Sequence, residues 1–355
     1  MTASPAAGEP EGTVVPPPSA PLSEVQAMAR ATALAALGPA HGPNPRVGCV
    51  LLDREGLVVG EGWHRGAGTP HAEVAALADA RARGHATQGL SAFVTLEPCN
   101  HTGRTGPCAV ALVEAGVSAV RYAVEDPNPV ASRGAATLAA AGVDVQHLPW
   151  DEARELNRRW LIAVRRGRPY VIAKWAQTLD GRIAAADGTS LWITGEEARA
   201  HAHTVRAQVD AMVVGTGTVL ADDPELSARP AGVSEPHQPL RVVVGHTPTP
   251  HARVWRDGNA LAVASHDPHA VLAELARREV RTVLLEGGAV LESAFLRHGL
   301  VDEIHAYVAP ALLGDGAQAV GGLGIATMAQ ALRATKAHAS PLGMDTLITA
   351  LLTDD

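Results

Sequence analysis

The sequence predicts an α/β protein of two domains, and three observations carry that prediction. Its 355 residues suffice for two domains of ordinary size, each with a core of its own. Apolar strands alternate with helical segments along most of the chain. That alternation starts afresh at Pro169, after an amphipathic stretch that closes on Gly167. The expected divisions are an extension over residues 1–21, a first domain over 22–150, a linker helix over 151–168 and a second domain over 169–355.

The extension is rich in Ala, Pro, Gly and Glu, with prolines at 16, 17 and 18, a composition that cannot pack a core and predicts disorder. Leu22 to Leu37 has helical periodicity, with Ser23 as its N-cap. Prolines on both sides of Asn44 make His41 to Arg46 a loop. Turn geometry before Pro45 would by itself favour an asparagine at 44. Val47–Leu52 and Leu57–Gly62 form a hairpin around Asp53 to Gly56. His64 follows on a Gly-rich loop and reads as a surface histidine, a place lining a pocket being the other reading. His71 to Arg83 reads as a helix, apolar at Val74, Leu77 and Ala78, with His71 and Glu73 in its first turn. Ala92–Leu96 is a buried strand that stops at Pro98, Cys108 opens the next helix, and Val117–Val124 is a further strand. Residues 144–168 contain one amphipathic helix.

Chemistry in the first domain rests on His71, Glu73, Cys99 and Cys108. Zinc takes nitrogen and sulfur ligands tetrahedrally, and three protein ligands leave the fourth position to a water whose pKa falls towards neutrality. His71, Cys99 and Cys108 are the candidate ligands. Glu73 is the candidate proton shuttle from attacking water to leaving ammonia. Zinc deaminases carry H-x-E followed by P-C-x-x-C. Here the first half matches, while the cysteines stand nine positions apart, at 99 and 108. Both lie near turn or helix starts, where amide donors favour the thiolate. Two other readings stay open: a core helix with a buried histidine and incidental cysteines, or a closed structural zinc site with His101 as fourth ligand.

The second domain opens strands at Tyr170, Ala211, Leu240, Leu261, Thr282 and Glu303, all strongly apolar, which predicts a largely parallel sheet covered on both faces. No G-x-G-x-x-G follows the first strand, so a Rossmann domain is disfavoured. Two strand, glycine, helix junctions stand in its place, Val213 to Thr218 and Leu284 to Gly288. Glycine lets a phosphate approach the backbone, and the helix N-terminus supplies amide donors; strand-end glycines also serve as plain turn devices. Lys174 stands out because this arginine-rich chain has only one other lysine, Lys336.

The strings PNPRVGCVLLDREGLVVGEGWH, TLEPCNHTGRTGPC and DPNP, with KWAQTLDGRIAA, WITG, RAQVDAMVVGTGTVLADDPELSAR and LLEGG after them, run from Pro43 almost to the C-terminus. Together they resemble the bifunctional riboflavin-biosynthesis deaminase/reductase family of bacteria. The resemblance implies a cytidine-deaminase-like α/β/α sandwich that binds zinc, followed by a dihydrofolate-reductase-like α/β domain that binds NADPH. It implies hydrolytic deamination of 2,5-diamino-6-(5-phosphoribosylamino)pyrimidin-4-one, then reduction of the ribosyl side chain to ribityl. By the same resemblance Asn44 and the loop at Asp126 to Pro129 face the first substrate. Ala176, Trp192, Thr218 and Asp222 lie near the cofactor, with residues 288–294, from Gly288 on, at its phosphates. Lys174, Ser190, Arg206, Leu226, Arg229 and Glu286 match the substrate side. Arg206 and Arg229 could clamp a sugar phosphate bidentately or be ordinary surface arginines. Asp222 could instead be a cap or turn residue before Asp223. Lys174 and Asp222 are the expected orienters of the sugar. Two departures stand out: GRTGPC replaces the family's GRTPPC, and VASRGAATL is about one residue shorter than the usual continuation.

A net charge of −8 and no Lys/Arg-rich run exclude a nucleic-acid footprint. No apolar run is long enough for a signal segment or a membrane span. Cys49, Cys99 and Cys108 are too few for a disulfide framework, and Cys49 reads as a buried strand residue. A cytoplasmic enzyme with small-molecule partners is expected, assembled as a homo-oligomer. Its rivals are a nucleoside or tRNA base deaminase with an unrelated second domain, and a binding or regulatory protein that keeps both folds without turnover.

Overall fold

The computed structural model describes residues 16–100, 106–129 and 131–353. The disorder expected for residues 1–15 and the candidate ligand His101 lie outside them. The chain forms two compact units. One runs to Pro39 and resumes over Asn44–Arg158, and the other holds Ala40–Pro43 and Arg159–Asp355.

In the first unit α1 (Glu24–Ala35) starts at Ser23, whose side chain accepts from the Gln26 amide while Gln26 reaches back to Ser23, a reciprocal cap that satisfies two otherwise orphaned donors. The hairpin β1 (Gly48–Leu52) and β2 (Val58–Trp63) follows, then α2 (Ala72–Ala82), β3 (Ser91–Val94), α3 (Cys108–Glu114), β4 (Ala119–Tyr122), α4 (Gly134–Ala140) and β5 (Asp144–His147). The sheet order is β2-β1-β3-β4-β5, antiparallel across the first two junctions and parallel across the last two. β5 falls in the stretch expected to hold only a helix. Its burial alternates between exposed and half-buried, a weak signal beside the helix that follows. Cys49, Leu51, Ala92 and Val94 turn to the face covered by α2, α3 and α4. α1 lies against the other face, over Gly48. α2 can approach β2 closely because Gly62 has no side chain: a Cβ there would meet the Ala72 carbonyl oxygen at 2.4 Å. α5 (Asp151–Arg166) contributes Asn157, which takes the Arg46 amide at 2.8 Å and donates to the Arg46 carbonyl at 2.7 Å.

The second unit contains β6 (Tyr170–Thr178), α6 (Glu196–Arg206), β7 (Ala211–Gly215), α7 (Thr216–Asp222), β8 (Leu240–Val244), β9 (Ala260–Val263), α8 (Pro268–Arg277), β10 (Thr282–Leu285), α9 (Ala289–Arg297), β11 (Glu303–Ala309), β12 (Lys336–Leu342) and β13 (Asp345–Leu351). They make one eight-stranded sheet, β12-β13-β11-β6-β10-β7-β8-β9. Every pairing from β11 to β9 is parallel, and the antiparallel β13 and β12 extend one edge. Alternate residues of a strand point to opposite faces, and here both faces are buried. Val171, Ala173, Val213, Val283 and Leu285 pack against α8 and α9. Tyr170, Ile172, Met212, Val214 and Leu284 pack under Val205 of α6 and Val219 of α7. The uninterrupted apolar strands of the sequence follow from this double burial. Among the described residues no helix is long and apolar enough to cross a membrane.

Candidate active sites

The first site is built at the start of α2. His71 is its N-cap, in extended conformation (φ −69°, ψ 162°), and not a first-turn residue as the apolar pattern suggested; Glu73 is in the first turn and is 3% exposed. The turn after β3 presents Cys99, and Cys108 opens α3 after Pro107. His71 Nδ1 lies 3.5 Å from Cys99 Sγ and 3.3 Å from Cys108 Sγ, and the three ligand atoms all stand within 4.8 Å of one another. Ligands at about 2.1 Å and 2.3 Å from a tetrahedral ion lie about 3.6 Å apart, so the donor set and its spacing fit zinc. The Cys108 amide points at Cys99 Sγ at 3.4 Å. Hydrogen bonds from Cys108 and His71 outweigh burial and pull the Cys99 thiol down, while the hydrogen bond with Cys99 and burial push Cys108 up. Burial, and then the Cys99 charge, raise the Glu73 carboxyl.

A second layer holds this turn. Glu97, 9% exposed, accepts from the Ala135 amide at 3.0 Å and the Asp126 amide at 3.4 Å, which ties the Asp126–Asn128 loop and α4 to the cysteine turn. Asn100 donates from its amide to Ala131 at 2.9 Å and accepts from Thr137 at 3.0 Å. The rim shortened around Val130 falls in part outside the described residues. His64 is buried, at 4% exposure, against its reading as a surface histidine. Its Nδ1 is 3.3 Å from the Pro70 carbonyl and its Nε2 is 2.9 Å from the Asn44 amide nitrogen. The carbonyl can only accept, so Nδ1 carries the proton and Nε2 accepts from Asn44. Burial lowers the His64 pKa and keeps the ring neutral, as this pairing requires. His64 also meets the edge of His71, with ring centroids 5.3 Å apart. The sequence signal for this pair was the PNP loop and the Gly-rich loop, neither of which shows that they meet.

The second site lies at the carboxyl ends of the parallel strands. Arg206 Nε and Nη2 grip both oxygens of Glu286 at 2.8 and 2.7 Å, and Lys174 Nζ stands 3.7 Å from Oε2 of the same carboxylate. Burial opposes ionisation of Glu286, yet Arg206 and Lys174 hold its pKa down to about 2. Arg206 also reaches the Ser227 carbonyl, and Arg229 donates to the Ser227 hydroxyl and meets His203 Nε2 at 3.3 Å. Arg206 is thus committed to Glu286, and Arg229 is the more accessible of the two arginines expected at a phosphate. Leu226 is buried with φ 53°, a left-handed conformation that costs a residue with a Cβ about 1–2 kcal/mol. Ala176 packs beside Tyr307. Gly288 is the N-cap of α9, and a Cβ on it would have Thr218 Oγ1 at 3.9 Å as its nearest neighbour. With no side-chain cap on α9 and open space at Gly217 and Gly288, these turns fit a dinucleotide's phosphates. Ser190 is half-buried, Trp192 is exposed under Arg199 with the guanidinium 4.8 Å from the ring, and Asp222 is exposed at the end of α7, so it is not an N-cap. None of these three bonds to the Lys174, Arg206, Glu286 cluster among the described contacts.

Residues 22–124 match the family described as cytidine and deoxycytidylate deaminase zinc-binding region, and residues 169–348 match the RibD C-terminal domain. The riboflavin biosynthesis protein RibD of Mycobacterium tuberculosis (strain ATCC 25618 / H37Rv) is 48% identical over 311 residues, covering 86% of this chain and 90% of that protein. A solved Acinetobacter baumannii RibD structure, form 1, superposes with a TM-score of 0.85 at 38% identity, covering 93% of this chain and 99% of the other. The diaminohydroxyphosphoribosylaminopyrimidine deaminase/5-amino-6-(5-phosphoribosylamino)uracil reductase of Thermotoga maritima gives 0.83 at 30% identity, covering 92% and 98%. Two sites on two α/β units, in the order deaminase then reductase, place this chain in the RibD family, the bifunctional deaminase/reductases of riboflavin biosynthesis.

Proposed function

We propose that the first unit deaminates 2,5-diamino-6-(5-phosphoribosylamino)pyrimidin-4-one and that the second reduces the ribosyl side chain of the deaminated product to ribityl. The cofactors are zinc for the first activity and NADPH for the second. The carrying observation is the meeting of His71 Nδ1, Cys99 Sγ and Cys108 Sγ within 4.8 Å, beside a buried glutamate. Zinc, when bound, supplies a Lewis acid that activates water, and NADPH, when bound, supplies a hydride. His71, Cys99 and Cys108 hold the metal. Glu73, whose burial makes it a better proton holder than an exposed carboxylate, takes a proton from water and returns it to the leaving ammonia. Asn44 orients the pyrimidine, itself braced by His64.

In the reductase unit Lys174 and Asp222 orient the sugar, with Ser190, Leu226 and Glu286 around it and Arg229 on its phosphate. Arg206 positions Glu286. Ala176, Trp192, Thr218 and Gly288 border the cofactor. A cytoplasmic homo-oligomer with the divisions 22–150 and 169–355 completes the reading. The test is ammonia release from the diaminopyrimidine by zinc-loaded protein without NADPH, followed by NADPH addition with absorbance recorded at the nicotinamide band. Release followed by NADPH consumption is the expected result. Release without consumption overturns the reductase half, and no release overturns the deaminase half.

A further inference from the structure

His203, in the last turn of α6, neighbours both arginines expected at a phosphate, and nothing so far gives it a task. The two arginines are held in different ways. Arg206 places its Nε and Nη2 on the Glu286 carboxylate, so its charge is neutralised within the protein. Arg229 Nη2 meets His203 Nε2 at 3.3 Å, and Arg229 Nη1 donates to the Ser227 hydroxyl. A guanidinium carries five N–H groups, and these two contacts leave three of them free.

A guanidinium can only donate, so His203 Nε2 accepts and the ring proton sits on Nδ1. Burial first, and then the charges of Arg206 and Arg229, lower the His203 pKa to about 4. The ring is therefore neutral at neutral pH, as the pairing requires. His203 Nδ1 is buried and faces the Ser227 carbonyl without completing a hydrogen bond among the described residues, which also favours the proton there.

The backbone beneath Arg229 is fixed independently. The Gln238 side chain accepts from the Ala228 amide at 2.9 Å and donates to the Ala228 carbonyl at 2.8 Å, and Arg206 Nη1 reaches the Ser227 carbonyl at 3.3 Å. His203 thus acts on the direction of the guanidinium and not on the path of the loop. Its competitor is Glu225, whose Oε2 stands 3.6 Å from Arg229 Nη1 and whose Oε1 takes Arg253. An arginine drawn onto that carboxylate would meet a phosphate with its charge already matched. A neutral imidazole holds the same fork and leaves the charge for the ligand.

We propose that His203 is a positioning residue that holds the Arg229 guanidinium ready for the phosphate of the reductase substrate. The proposal rests on the reductase reading above, in which Arg229 takes that phosphate. An arginine held beforehand loses less side-chain freedom on binding than a free one, a difference of about threefold to tenfold in affinity.

The test compares two substrates, the deaminated pyrimidine with and without its 5′-phosphate, by NADPH oxidation. Its readout is the ratio of the two kcat/KM values, which a purely structural role for His203 would not move. His203→Asn keeps a polar group near Nδ1 and removes the Nε2 acceptor. It should lower the ratio about threefold to tenfold, through KM for the phosphorylated substrate. His203→Gln returns an amide oxygen to the place of Nε2 and should recover the ratio to within about twofold. In an Arg229→Met background His203→Asn should lower the ratio no further, because the histidine acts through that arginine. A ratio unmoved by His203→Asn, unrecovered by His203→Gln, or lowered equally in both backgrounds overturns the proposal. A ratio unmoved by Arg229→Met alone overturns the phosphate reading and the proposal with it, and a wild-type chain that oxidises no NADPH overturns the reductase reading on which both stand. Should His203→Asn not fold, long-range 1H–15N NMR of the wild type decides: the ring should be the neutral Nδ1–H tautomer at neutral pH. An Nε2–H or charged ring there cannot accept from Arg229 and overturns the proposal.

Discussion

Gly134 opens α4 so close to Pro98 that a Cβ on it would stand 1.7 Å from the Pro98 carbonyl oxygen. Pro98 immediately precedes Cys99, so the smallest side chain at 134 pushes directly on a candidate ligand. Gly134→Ala should destabilise the first unit by about 1–3 kcal/mol through overpacking. It should also weaken zinc binding at least about tenfold in competition with a chelator, a displaced ligand being worth that much in affinity. NADPH oxidation with the deaminated pyrimidine should not change. Retained zinc affinity would mean that the turn yields without moving Cys99.

Glu73 is 3% exposed and its carboxyl is raised first by burial and then by the Cys99 charge. A neutral amide of the same shape suits such a position. Glu73→Gln should therefore fold and bind one zinc per chain, while ammonia release falls by about 10²–10⁴-fold. Metal content by atomic absorption and ammonia by a coupled assay check the two halves of the statement. A variant with more than a tenth of the wild-type rate would assign the proton relay elsewhere.

Local grammar made much of this molecule readable. The Ser23 cap, the hairpin around Asp53 to Gly56 and the continuous apolar strands after Pro169 rest on interactions between near neighbours or on burial of whole strands. The candidate zinc site was legible because Cys99 and Cys108 are two of only three cysteines in the chain and stand beside a proline and a helix start. What stayed hidden depends on distant partners. Arg206 meets Glu286 across 80 positions and Arg159 meets Glu303 across 144, and neither spacing leaves a trace in the sequence. His64 reads as a surface histidine because nothing near it in sequence signals a partner, yet it is buried and meets Asn44 and the Pro70 carbonyl. The β12–β13 hairpin escaped notice because β12 is mostly exposed and lacks an apolar signature.

Asn44 is the partner of His64 Nε2 at 2.9 Å, and its removal leaves that nitrogen buried and unpaired. The cost of such an orphan is about 1–3 kcal/mol. Asn44→Ala should therefore lower the stability of the first unit by that amount and raise the KM for the diaminopyrimidine about tenfold, with zinc retained. Denaturant titration and steady-state kinetics separate the effects. An unchanged KM with the full stability loss would leave Asn44 a brace for His64 and no more.

Glu286 gives the reductase unit a defined acid limit. Its folded pKa of about 2 lies below the ordinary glutamate value of 4.5, because Arg206 and Lys174 outweigh its burial. A depressed carboxylate stabilises the fold above the unfolded pKa and loses that contribution as pH falls through the window between the two values. The contribution is therefore complete at neutral pH, begins to fade near 4.5 and is spent near 2, and its full size is on the order of 3 kcal/mol. Hydrogen exchange at the β10 amides, which lead into Glu286, should accelerate across that window beyond the change in intrinsic exchange. In Glu286→Gln the same amides should be less protected at neutral pH, where Arg206 has lost its charge partner, and should show a shallower pH dependence. Equal slopes in the two proteins would show that the Arg206 to Glu286 pair contributes nothing to acid sensitivity.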